Sequence, residues 1–308
     1  MIDFYGRKLN AYKASLHTHS TNSDGAFSPD KVIELYKGHG YDVLAFTDHS
    51  FVTKTQELDS QGLTLIQSIE MHPWGPRGAR WHLVALNVSN DFVYDGERSV
   101  QEQLPAQELI DRAVADGAMV ICAHPYWCGF TTEDVAKLKN ISAIEVYNTS
   151  TRYIGRQFCM QIWDELSDKG LVYPATAVDD MHSAMDLFRG WTVIAAEDKS
   201  VPSLMNALKH GSFYATMGPE FTKLSYDGKV FEASFSPCTE VIGLTNPSGG
   251  YCVTVEDLGG YGTGSKEVSE CRLELNRSKD RDLWFRLQIR DAQGRYAWSA
   301  PIILPAEQ

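Results

Sequence analysis

The hydrophobic positions change rhythm along the chain. Up to about residue 218, short apolar runs alternate with stretches whose apolar residues recur at helical spacing. KASLHTHS, DVLAFTDHS, LTLIQSIEMH, WHLVALNVS, AMVICAHP, ISAIEVYN and LVYPATAVDDMH each predict a strand. SPDKVIELYKGHGY predicts a helix, with Ser28 as N-cap, Pro29 in the first turn and Gly38 and Gly40 at the end. PAQELIDRAVADG places Leu109, Ile110, Ala113 and Val114 on one helical face. TTEDVAKLKN, GRQFCMQIWDELSDKG and SVPSLMNALKHG predict three further helices. Apolar strands interleaved with helices predict an α/β fold on a largely parallel sheet, closed or nearly closed as a barrel, with an open doubly wound sheet as the alternative.

Beyond about residue 220 the helical spacing disappears. FTKLSYDGKVFEASFSP, EVIGLTN, YCVTVED, CRLELNR and LWFRLQIRDAQGRYAWSAPIIL are alternating runs separated by DG, PSGG and DAQGR turn signals. They predict an antiparallel, sandwich-like β domain over residues 220–308, following an α/β domain over 1–219, with the boundary near YATMGPEF.

Polar residues of one chemical kind close the apolar runs of the first domain. A strand through LHTH puts His17 and His19 on one face and Leu16 and Thr18 on the other, with Asp24 in the turn that follows. LAFTDHS ends at Asp48 and His49, LIQSIEMH at Glu70, VICAHP at His124, and ATAVDDMH at Asp180-Met181-His182. His82 instead opens its run, which fits a strand of reversed direction. In parallel α/β domains the carboxyl ends of the strands form the functional face. Each histidine taken singly could be structural, but six of the nine lie at these strand ends. The joint pattern points to a metal site, because imidazole and carboxylate are the common ligands of divalent transition metals. The other three, His39, His72 and His210, lie in helix termini or loops and read as surface or supporting residues.

Composition narrows the substrate. A formal net charge of −12 argues against broad nucleic-acid affinity. Bound divalent cations would still reverse the local field and admit a small anion. No apolar run reaches membrane-spanning length, and MIDFYGRKLNAYK lacks the apolar core of a signal peptide, so a cytoplasmic location is expected. Cys122, Cys128, Cys159, Cys238, Cys252 and Cys271 form no CxxC pair, so neither a zinc knuckle nor a disulfide framework is expected.

The order of these residues resembles the PHP (polymerase and histidinol phosphatase) family of metal-dependent phosphoesterases, over roughly residues 13–218. The family pattern is matched by His17-Thr18-His19, Asp24, His49, Glu70, His82, His124 and Asp180-Met181-His182, with all nine positions filled in order. The resemblance implies a distorted, TIM-like (β/α)7 barrel holding two or three divalent ions (Zn, Mn or Fe). It implies one ion on His17, His19, Glu70 and Asp180, a second on Glu70, His82 and His124 with Glu70 bridging, and a third on Asp24, His49 and His182. SVPSLMNALKHGSFYATMGPEF resembles the segment that ends such domains. YAWSAPIIL resembles the end of a related branch that carries a C-terminal β domain and includes carbamate-ester hydrolases.

The expected reaction is hydrolysis of a small phosphate mono- or diester, nucleotides included, by metal-activated water without a covalent enzyme intermediate. No G-x-S-x-G nucleophile motif occurs. Arg77 and Arg80, in the loop between Glu70 and His82, are candidates for the phosphate or solvated loop charges. Arg152 and Arg189 are weaker candidates, and Glu145 is unassigned. Trp74, Trp81, Tyr126 and Trp127 could stack on a base, although rim packing is the commoner role. The expected partner is a small phosphorylated substrate; a membrane is not expected, nucleic acid enters only as a short or single-nucleotide substrate, and homo-oligomerisation is left open. The alternatives are a histidinol-phosphate phosphatase, a carboxylic- or carbamate-ester hydrolase, and a non-catalytic module stabilised by metal.

Overall fold

The computed structural model describes residues 1–90, 92, 104–245, 249–254, 267–275 and 283–304. Part of the PSGG turn signal therefore lies outside the described residues. The fold is mixed α/β, rich in sheet and poor in helix. Strands β1 (Ile2–Phe4), β2 (Arg7–Ser15), β3 (Val43–Phe46), β4 (Thr64–Met71), β5 (Leu83–Leu86), β6 (Met119–Cys122), β7 (Ala143–Asn148) and β8 (Ala175–Val178) carry the first part. The order β2, β3, β4 is parallel, β5 is antiparallel to both β4 and β6, and β6, β7, β8 are parallel again. The reversed β5 explains why His82 precedes its strand while the other histidines follow theirs.

The strands end sooner than the apolar runs suggest. β2 stops at Ser15, so His17 and His19 lie just beyond it rather than within a strand. Their segment is held by a parallel bridge from Thr18 to Met181, with His19 N–H donating to Met181 O and Asp180 N–H to His17 O. These bonds join the segment after β2 to the segment after β8, so the first and last strands of the series meet at the site.

Among the described residues, four helices of more than two turns cover this part: α1 (Pro29–Gly38), α2 (Ala106–Ala115), α3 (Met160–Asp168) and α4 (Val201–Lys209). Ser28 caps α1 by accepting from Lys31 N–H, with Pro29 in the first turn. The helix expected over TTEDVAKLKN is reduced to a single α-helical turn, Thr132–Val135. A capping box of Thr131 and Asp134 starts it.

β9 (Trp191–Ala196) runs antiparallel to β2, and β10 (Phe213–Thr216) runs antiparallel to β9. The remainder is antiparallel β: β11 (Phe221–Tyr226), β12 (Val230–Cys238), β13 (Glu240–Thr245), β14 (Gly250–Thr254), β15 (Val268–Glu274), β16 (Trp284–Arg290), β17 (Tyr296–Trp298) and β18 (Ile302–Ile303). This part does not stand apart from the first. β1 pairs in parallel with β11, and β10 pairs with β17. Ile2, Phe4, Val193 and Tyr214 share one apolar core with Phe231, Phe285 and Ile289. Isolated edges of this kind are satisfied by the nearest unpaired strand, whatever its distance in sequence. Arg286 of β16 is buried over the Trp163 ring and ion-paired to Asp164 of α3, adding a polar tie between the two parts. All six cysteines are unpaired, and four of them are buried. Among the described residues, no helix is long and apolar enough to cross a membrane.

Candidate metal centre

The nine residues that match the family pattern come together in one cluster, centred on Glu70. The Glu70 carboxylate is fully buried. Its Oε2 lies 2.7 Å from His49 Nδ1 and 3.4 Å from His17 Nε2 and His19 Nε2. Its Oε1 lies 2.7 Å from His82 Nδ1 and 3.4 Å from His124 Nε2. Asp180 Oδ1 sits 3.1 Å from His17 Nε2 and 3.0 Å from His19 Nε2. On the outer side, Asp24 Oδ2 is 3.4 Å from His49 Nε2, and Asp24 Oδ1 is 3.5 Å from His182 Nε2.

The backbone is bent to achieve this. His124 and Asp180 adopt positive φ values of 25° and 51°. Such conformations cost energy in ordinary residues and concentrate at functional sites. The turn after Asp24 needs Gly25, because a Cβ there would lie 2.6 Å from the His19 backbone. Asp179, next to Asp180, is not part of the cluster. Its carboxylate accepts from the N–H groups of Phe188, Arg189 and Gly190 and from Tyr36 Oη, and so anchors the loop. Asp48, next to His49, is likewise occupied by Ser20, Ser23 and Thr53.

Neighbouring groups fix the imidazoles. His17 Nδ1 bonds Glu145 Oε1 at 2.7 Å, leaving Nε2 aimed inward. Glu145 Oε2 accepts from His124 N–H and from Asn148 Nδ2, which also donates to Asp180 Oδ2. His182 Nδ1 donates to Asp180 O at 2.8 Å, so the ring's lone pair is on Nε2, which lies 3.4 Å from His49 Nε2. His124 Nδ1 lies 3.5 Å from Cys128 Sγ. A partner on one ring nitrogen that sets the other as ligand is the recurring support of metal-binding histidines. Glu145 is thus a residue the sequence left unassigned. Of the two positions expected for His72, surface or supporting, the structure shows the second: it is buried, with Nε2 3.4 Å from Glu70 Oε2. The signal was present, since Glu70 and His72 are two apart at the end of a strand and share a face.

Burial and charge compete throughout the cluster. Burial, the largest influence, would lower the His17 pKa, yet Asp180, Glu70 and Glu145 together raise it well above the ordinary value. At His49 burial is again outweighed, by Glu70 and Asp24, and the pKa is pushed up to about 10. Burial prevails at His19, held down to about 4, and at His82, held down to about 3. Burial would raise the carboxyls of Glu70 and Asp180, but the surrounding imidazoles, His17 foremost, hold both well below the usual range.

The donor atoms fit divalent ions. His17 Nε2, His19 Nε2, His49 Nδ1, Glu70 Oε2, His72 Nε2 and Asp180 Oδ1 are all buried without a hydrogen-bond partner, although they lie close together. Buried polar atoms left unpaired each cost about 1–3 kcal/mol. Ligands about 2.1 Å from one metal stand about 3.0 Å apart in an octahedron and about 3.4 Å apart in a tetrahedron. The separations of 3.0–3.4 Å between the His17, His19, Asp180 and Glu70 atoms match those edges. Four sets have ligand atoms within 4.8 Å of one another: His17, His19, Asp180; His17, Glu70, His124; His19, Asp24, His49, His182; and His49, Glu70, His72.

A cavity of about 330 Å³ opens onto the outer side of the cluster. Asp24, His49, His82, His124, Asp180 and His182 form its floor, and Trp127, Ser150, Thr151, Tyr153 and Ile154 its walls. Among the described residues, no lysine or arginine lines it. Arg77 is ion-paired to Asp134 at 2.6 Å, and Arg152 to Asp186 at 3.1 Å. Arg80 lies over the Trp74 ring, and Arg189 Nε donates to Met185 O. Trp127 meets His82 and His124 edge-on, Trp81 stacks on Phe130, and Tyr126 lies under Arg156.

No family model matches the chain. A two-domain protein from Bacteroides vulgatus, described as containing a predicted PHP-like metal-dependent phosphoesterase, superposes with a TM-score of 0.54 at 16% identity, covering 92% of this chain and 93% of that one. The chain has a PHP-type fold. A lesion-specific endonuclease from Pyrococcus furiosus superposes with a TM-score of 0.47 at 15% identity, over 65% of this chain and 56% of that chain. In sequence, a 5'-3' exoribonuclease of Haemophilus influenzae is 36% identical over 80 residues, and the match spans 24% of this chain and 28% of the exoribonuclease.

Proposed function

We propose that the protein is a metal-dependent phosphoesterase that hydrolyses a small phosphate mono- or diester, nucleotides included, by metal-activated water. The observation that carries the reading is the group of six buried, unpartnered donor atoms facing one another around Glu70 and Asp180. In the same reading β2 to β8 form the distorted (β/α)7 barrel, and residues 220–308 form an accessory β domain. Two or three divalent ions such as Zn, Mn or Fe suit the mixed imidazole and carboxylate donors.

When bound, divalent ions neutralise the ester's charge, bring the pKa of water towards neutrality and stabilise the leaving oxygen. The chain's own residues do the rest. His17, His19, Glu70 and Asp180 form the buried inner set, with Glu145 and Asn148 fixing its orientation. Asp24, His49 and His182 present an outer set to the cavity, and His82 and His124 complete the Glu70 surroundings. Among the described residues the cavity offers the phosphate no guanidinium or ammonium group; its polar side chains are carboxylates, imidazoles, the hydroxyls of Ser150, Thr151 and Tyr153, and the Trp127 indole. Asp24, Glu70 and Asp180 bring three carboxylates to the cluster, and cations held there would offset them and meet the ester's charge. Trp127, Tyr153 and Ile154 give the cavity wall an exposed apolar surface on which a leaving group could rest. Arg77 and Arg152 act through their carboxylate partners as braces for the surrounding loops.

The test is hydrolysis of a chromogenic phosphate monoester, a chromogenic diester and a short oligoribonucleotide, side by side, by protein reloaded with Mn(II). The oligoribonucleotide arm follows the exoribonuclease relative. The expected result is turnover that a chelator abolishes and Mn(II) restores. Absence of turnover on all three by protein shown to carry the metal would contradict the reading.

A further inference from the structure

We infer that His72 is itself a metal-ligating residue, closing a further ligand set with His49 and Glu70. The inference rests on reading the cluster as a metal centre, but not on the ester hydrolysed. His72 is only 8% exposed. Its Nε2 has no hydrogen-bond partner and lies 3.4 Å from Glu70 Oε2. Its Nδ1 lies 3.5 Å from Ser50 Oγ, which directs the ring so that Nε2 points into the cluster. The ring centroid is 4.3 Å from those of both His49 and His82, so the side chain is enclosed by other candidate ligands. His49, Glu70 and His72 each offer a ligand atom that lies within 4.8 Å of those of the other two.

A packing role does not account for these facts. An imidazole kept only to fill space would still need a partner for a buried ring nitrogen. Glu70 Oε2 is in the same position: four imidazole nitrogens surround it and none makes an aligned hydrogen bond. One ion between His49, Glu70 and His72 satisfies all three groups at once. Two imidazoles and one carboxylate suit a borderline cation such as Zn(II). With Glu70 already shared by other sets, His72 gives the centre one more place for an ion, or a second way to hold the outer one.

Equilibrium dialysis against Zn(II), with elemental analysis, tests this on the demetallated full chain. Wild type is compared with His72→Ala, His72→Gln and His72→Glu, and with His210→Ala as a remote control. Loss of one ion, or at least tenfold weaker binding of one ion, is expected for Ala and Gln. His72→Glu, which keeps a ligand of similar reach, recovers most of the binding, and His210→Ala behaves as wild type. Equal binding by wild type and a folded His72→Gln overturns the inference. Should the variants not fold, an anomalous difference map from wild-type crystals containing Zn(II) decides: a peak at bonding distance from His72 Nε2 supports the assignment, and a map without one overturns it. Wild type that loads ions yet hydrolyses no phosphate ester overturns the phosphoesterase reading and leaves His72 standing. Wild type that binds no ion overturns both.

Discussion

The inner and outer halves of the cluster are built from the same residue types in opposite surroundings. His17, His19 and Glu70 have no exposed side-chain surface, and Asp180 has 6%. Asp24 is 55% exposed and His182 28%. The inner half is braced by Glu145, Asn148 and two backbone hydrogen bonds between the segments that follow β2 and β8. The outer half rests on the bonds of His182 Nδ1 to Asp180 O and of His182 N–H to Asp186 Oδ2, on the approach of His182 Nε2 to His49 Nε2 at 3.4 Å, and on contacts through Asp24. Charge interactions strengthen as water is excluded. The inner half should therefore grip an ion tightly and serve the fold, while the outer half holds a more exchangeable ion at the cavity floor.

Glu70 belongs to both halves, so Glu70→Gln should have the largest effect. kcat/KM should fall by about 10³-fold or more, about 4 kcal/mol of transition-state stabilisation. Elemental analysis should show metal lost from both halves; loss from the outer half alone would mean that the inner ion does not depend on Glu70. Glu145→Gln addresses the inner half through its brace. Removal of such supporting carboxylates costs about 10–100-fold in metal affinity. Calorimetry should place that loss in the tighter of the binding events.

Asp24→Asn probes the exposed half, where solvent weakens each charge. The Mn(II) concentration for half-maximal activity should rise about tenfold, or about 1.4 kcal/mol, while the inner ion survives dialysis. Brief treatment with a weak chelator should abolish turnover and shift the melting temperature by no more than about 2 °C, since loss of a weakly held ion removes little linkage energy. Prolonged strong chelation should then lower the melting temperature further as the inner ion leaves. Identical behaviour under both treatments would remove the distinction between the halves.

The nine convergent residues were legible because parallel strands deliver their last residues to one face, and polar groups ending apolar runs stand out there. His82 was legible by the same reasoning applied in reverse, since β5 is antiparallel to its neighbours. Glu145 was not, because it sits inside an apolar run where a register shift between Glu145 and Tyr147 breaks the two-residue alternation. His72 was passed over as a loop residue although it shares a face with Glu70. β9 and β10 were missed as well, WTVIAA and FYAT being short runs beside stronger helical signals. The parallel pairing of β1 with β11 joins residues more than 200 positions apart, and no local pattern encodes such a partner. Arg77 and Arg152 could not be placed from sequence for the same reason, since Asp134 and Asp186 reach them only through the tertiary fold.

The most direct test is a titration of demetallated wild type with Mn(II), following hydrolysis of a chromogenic phosphate ester. The account predicts no turnover without metal and a rise to full activity as the outer half fills, after an inner ion that binds more tightly without producing activity. Turnover by the metal-free protein, or none at saturating Mn(II) with ions demonstrably bound, would contradict it.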